Sequence, residues 1–70
     1  MPHYYFHYLD GSSIFEDDVG EVFADASLAL QHATKIAREL ALGGEPTNAA
    51  IVVVEGGQHL FEVSLAEQGD

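Results

Sequence analysis

Seventy residues with no cysteine make one small domain, without disulfides or thiolate metal sites to steady it. Hydrophobic residues are 47% of the chain, too many for a disordered acidic tail and enough for a modest core. Twelve acidic residues against only Lys35 and Arg38 give a net charge of −10, which argues against binding nucleic acid or an anionic membrane surface.

The chain opens MPHYYFHYLDG. Residues 3–9 alternate, with Tyr4, Phe6 and Tyr8 on one side and His3, Tyr5, His7 and Leu9 on the other, as a strand requires. Asp10, Gly11, Ser12 and Ser13 supply turn chemistry. Ile14 and Phe15 resume the apolar pattern, so residues 3–9 and 13–16 read as a β-hairpin. Residues 16–25 are acidic with apolar insertions. Val19, Val22 and Phe23 are expected to tuck under the domain while the acids face water.

Asp25 has the short acidic side chain of a helix N-cap. From residue 26 to residue 42, Ala26, Ala29, Leu30, Ala33, Ile36, Ala37, Leu40 and Ala41 follow the spacing of one helical face. The alanines allow close approach to a sheet. Gly43 and Gly44 end the helix, and Pro46 forbids its continuation. Ala50 to Val54 is a β-branched strand, Gly56 and Gly57 make a turn, and His59 to Leu65 returns. Residues 1–66 are thus one domain, and residues 67–70 a frayed tail.

Two registers fit this second hairpin. A two-residue loop pairs Val54 with His59 and Val52 with Phe61. A three-residue loop with a bulge puts Ile51 opposite Phe61 and Val53 opposite His59. We favour the second, because it groups Ile51, Val53, Phe61 and Val63 on one face. The predicted fold is α+β, in ββαββ order, with a four-stranded, mainly antiparallel sheet and one helix on one face. The other face keeps Tyr5, His7, Leu9, Val52, Val54 and Leu60 as interface candidates, and self-association as a homodimer would cover them.

Candidate chemistry is sparse. His3 and His7 on a strand lie about 13 Å apart and cannot chelate one ion. A metal site built from His7, His59 and an acid is conceivable, though zinc wants three or four such ligands. Histidines could also make assembly pH-sensitive. The acids Glu16, Asp17, Asp18, Glu21 and Asp25 lack the alternating pattern of a calcium loop. No G-x-S-x-G occurs, and neither glycine pair matches a phosphate-binding pattern. We therefore expect no catalytic residue, no cofactor and no enzyme.

The opening M-P-x-Y-x-F-H, here Met1, Pro2, Tyr4, Phe6 and His7, is followed by Asp10 and Gly11. Then come an acidic D-x-x-G (Asp17 or Asp18 with Gly20), Asp25 before an alanine-rich helix, and Ile51 and Val53 in a closing strand. Together they resemble a group of short alphaproteobacterial, especially rhizobial, proteins known only as a domain of unknown function. The resemblance implies a stand-alone bacterial, cytoplasmic protein and carries over no activity, cofactor or catalytic residue. That group often has a basic residue at the third position, where this chain has His3. The order of elements and the acidity are also similar to HicB-type antitoxins, which bind a small basic toxin. An acidic surface here would likewise suit a basic protein partner.

Overall fold

A computed structural model describes residues 2–44 and 48–67. The chain begins with a long strand, β1 (His3–Asp10), which turns through Gly11 into a short strand, β2 (Ser13–Phe15). Gly11 takes the positive φ of 61° that this two-residue turn needs. A two-residue strand, β3 (Glu21–Val22), precedes the helix α1 (Ala26–Leu42). The hairpin of β4 (Ala49–Glu55) and β5 (Gln58–Ser64) follows, closed by a 3₁₀ turn at Leu65–Glu67. Most of the expected frayed tail, residues 68–70, and the Pro46 helix barrier lie outside the described residues.

The sheet is antiparallel throughout, in the order β2-β1-β4-β5. Five strands form it where four are expected, because β3 also pairs with β1, on the same edge as β2 but at the opposite end. Two residues carry too little alternation to be read as a strand.

The helix matches the sequence pattern at both ends. Asp25 Oδ1 accepts the Leu28 N–H at 3.0 Å, the N-cap bond. At the other end the Gly43 N–H reaches the Glu39 and Leu40 carbonyls, and Gly44 turns away at a φ of 90°. Ala29, Ala33 and Ala37 are all 0% exposed, so the stripe of methyl groups seats the helix directly on the sheet. Beneath it lie Tyr4, Ile51, Val53, Val63 and Leu65, with Phe6, Tyr8 and Phe61 around them. Tyr4 is buried to 2% exposure; complete burial of a large apolar side chain stabilises by roughly 1.5–3 kcal/mol. Its burial, reinforced by the charges of Glu55 and Asp25, raises the hydroxyl pKa above 10.0.

The second hairpin starts in the two-residue register, with its expected Val54–His59 pair, and then leaves it. Gly56 and Gly57 form a two-residue loop pairing Glu55 with Gln58 and Val54 with His59. A bulge at Val53/Val54 then shifts the pairing to Val53 with Phe61 and Ile51 with Val63. The favoured pairs Ile51–Phe61 and Val53–His59 are therefore wrong, as is the alternative Val52–Phe61, although Ile51, Val53, Phe61 and Val63 do share the helix side. The glycines satisfy the tight turn, and the bulge corrects the face afterwards by one residue. Leu60 is the extra residue of that bulge and packs against the helix-side core.

Candidate functional site

The strand register sorts the remaining side chains onto the helix-free face. His3, Tyr5, His7 and Leu9 of β1 stand beside Ala50, Val52 and Val54 of β4. His59, Glu62 and Ser64 of β5 continue the rows, and Ile14 and Val22 extend them at the other edge. Val52 is only 6% exposed although no helix covers it, because His7 and Glu62 flank it across the strands. Tyr5, His7, Leu9 and Val54 are half-buried, whereas Ile14 and Val22 are each 52% exposed. Of the interface candidates, Tyr5, His7, Leu9, Val52 and Val54 thus share one surface, and Leu60 leaves it for the core.

Charge is unevenly placed. Within the five strands, Asp10, Glu21 and Glu55 pair with or belong to helix-side positions, and Glu62 alone lies on the free face. Three of the four histidines lie there too: His3, His7 and His59. The fourth, His32, faces inward from the helix. It meets Phe6 edge-on at 5.0 Å and Phe23 at 5.2 Å, with its Nε2 3.7 Å from Glu21 Oε2.

A loop at residues 16–20 borders the free face and contains a feature that sequence reading missed. Strand β2 pairs with β1 from Tyr8 to Asp10, and β3 pairs with His3 and Tyr4. The edge of residues 5–7 between them has no strand partner, and Asp17 fills the gap. Its Oδ2 accepts the Phe6 N–H at 3.1 Å, replacing the carbonyl a neighbouring strand would offer. Its Oδ1 accepts the N–H groups of Val19 and Gly20, both at 3.0 Å. Its own N–H donates to His7 Nδ1 at 2.9 Å. Partial burial pushes this carboxyl upward, but the N–H donors of Gly20, Phe6 and Val19, with His7 nearby, outweigh it and hold the pKa below 3.8.

The expectation for this segment therefore needs correcting. Val19 is 75% exposed and Val22 is half-exposed, while the acid Asp17 turns inward; only Phe23 joins the core as expected. The D-x-x-G spacing is the signal that could have found it, since a carboxylate at the first position reaches the N–H groups two and three residues on. Gly20 completes the turn at a φ of 70°, and a Cβ there would lie 2.6 Å from the His3 ring. That ring stacks on Tyr5 at 4.9 Å.

The hydrogen bonds also decide what the histidines can ligate. A backbone N–H only donates, so His7 Nδ1 holds the lone pair and Nε2 the proton. As bonded, His7 has no free lone pair for a metal ion. His59 is exposed on β5, facing Val54. Among the described residues no cluster of three or more His, Asp or Glu could hold a metal ion.

Taken together, the chain is a two-layer α+β domain whose sheet is covered by a helix on one side only. It belongs to a family described as a domain of unknown function, DUF6894, whose model matches residues 3–66. No curated protein and no solved structure matches it. Among the described residues no helix is long and apolar enough to cross a membrane.

Proposed function

We propose that this protein is a small, non-enzymatic interaction module that forms a homodimer through the helix-free face of its sheet. The observation that carries this reading is the composition of that face. Tyr5, Leu9, Ile14, Val22, Val52 and Val54 lie on one side of the sheet, with Glu62 as the single strand acid among them. In a chain of net charge −10, this is the surface where two copies meet with least repulsion. A two-fold axis would bury the same apolar side chains from both copies. Acids outside this face remain available to a basic partner protein. The resemblance in the opening motif supports a bacterial, cytoplasmic setting. The rival reading, a metal or small-ligand site on His7 and His59, is disfavoured because His7 Nδ1 is already bonded.

Light scattering at high micromolar concentration tests the proposal. A dimer mass is expected, with Leu9→Glu and Val54→Glu reverting to monomer at unchanged far-UV circular dichroism. A wild-type monomer mass that does not vary with concentration would sink it.

A further inference from the structure

Two histidines of β1 hold the loop of residues 16–20, and they do so with opposite chemistry. His3 Nε2 lies 2.7 Å from the Val19 carbonyl oxygen, which can only accept, so His3 is the donor. That bond survives protonation of His3. His7 instead accepts the Asp17 N–H at Nδ1, 2.9 Å away. A second proton on His7 would occupy that lone pair and set one N–H against another. Imidazole is also the side chain whose charge normally changes between about pH 5 and 8.

The surroundings of His7 tie this bond to the helix-free face. Tyr5 and Leu9 flank it on β1, and Val52 stands opposite on β4. Beyond Val52, β5 presents Glu62, with His59 opposite the neighbouring Val54. On the loop side the charged groups are Asp17, bonded to it, and the exposed Glu16 and Asp18 next in sequence. On β2 the free face presents Ile14, which carries no charge. His3 is stacked on Tyr5 farther along the same strand. Glu62 is therefore the one strand carboxylate on a face where each copy brings three imidazoles. Protonated His7 would have to be desolvated against the same set from the second copy.

We infer that His7 is a proton-operated latch on self-association. Neutral, it ties the loop of residues 16–20 to β1 and adds no charge to the face that a second copy meets. Protonated, it releases the Asp17 N–H and weakens the contact between copies. The inference rests on the homodimer reading above.

Sedimentation equilibrium at about pH 7.5 and about pH 5.5 tests it. The samples are the wild type and His7→Asn, whose side-chain oxygen can accept near the Nδ1 position without titrating. The wild-type dissociation constant should rise about tenfold or more on acidification, since each copy brings one His7, and that of His7→Asn should rise much less, with only the His3 and His59 imidazoles left on the face. The hydrogen-exchange protection factor of the Asp17 amide should fall with pH in the wild type alone. A wild-type dimer of pH-independent affinity, an unchanged Asp17 protection factor, or full pH dependence retained in His7→Asn overturns the latch and leaves the dimer standing. A wild-type monomer at both pH values overturns the dimer reading and the latch with it.

Discussion

Asp17 and His7 meet across the one stretch of β1 that has no strand on its outer side. The Asp17 N–H donates to His7 Nδ1 at 2.9 Å, while the Asp17 carboxylate takes the N–H of Phe6, the preceding residue of the strand. One loop residue thus stands in for a strand partner at the Phe6 N–H and holds the side chain of the next residue. The Phe6 N–H is satisfied without a long edge strand, which would invite pairing with other chains.

Asp17→Ala should lower unfolding stability by about 2 kcal/mol, chiefly because the half-buried Phe6 N–H loses its acceptor. The exposed Val19 N–H can turn to water and adds little. Urea denaturation at neutral pH measures the difference. In the wild type, a carboxyl held below 3.8 when folded contributes stability that is complete above that value. It is lost as pH falls through the lower folded pKa. Asp17→Ala should therefore lose less stability than the wild type on acidification below about pH 4.

Gly20→Ala should destabilise by about 2 kcal/mol or more, measured by thermal unfolding. The new Cβ would lie 2.6 Å from the His3 ring and 2.7 Å from the Tyr4 carbonyl oxygen, at a φ of 70°. Adding His3→Ala should recover only part of the loss, because the backbone contact and the φ remain. Full recovery would show that the ring alone sets the requirement.

Ala33→Leu should cost about 1–3 kcal/mol in denaturant titration, since Ala33 is fully buried beneath the helix and a larger side chain must push it off the sheet. Lys35→Ala, on the exposed side of the same helix, should stay within about 0.5 kcal/mol of the wild type. Equal effects at the two positions would contradict this packing.

Tyr4 makes the opposite pH prediction to Asp17. Its hydroxyl pKa is raised in the folded state by burial and by Glu55 and Asp25, so its contribution is complete below 10.0 and lost as pH rises through the folded value. Tyr4→Phe should flatten the loss of stability above about pH 10, followed by circular dichroism. A wild-type alkaline transition unchanged in Tyr4→Phe would assign that loss to other groups.

The helix was legible in the sequence almost to the residue, because its signals are local. Asp25 bonds an N–H three residues away, and the alanine stripe repeats within single turns. The β1–β2 hairpin was legible for the same reason. The second hairpin was not, because two glycines permit several turns. The choice fell to the sheet, which pairs Val54 with His59 at the loop and then inserts Leu60 to bring Phe61 against Val53. The partnership of Asp17 escaped for a related reason. Its bond to Phe6 spans eleven residues of sequence, and the D-x-x-G spacing that marks Asp17 predicts its local turn but not that distant partner.

The sequence by itself determined the class, the helix, the alternation of β1 and the surplus of acid, all properties set by near neighbours and composition. Only the tertiary structure decided that β3 shares an edge with β2, that Asp17 closes the gap between them, and that Leu60 belongs to the core. These depend on which backbone groups remain unpaired once β1 and β4 have joined. An unpaired N–H recruits whatever acceptor the folded chain can bring to it.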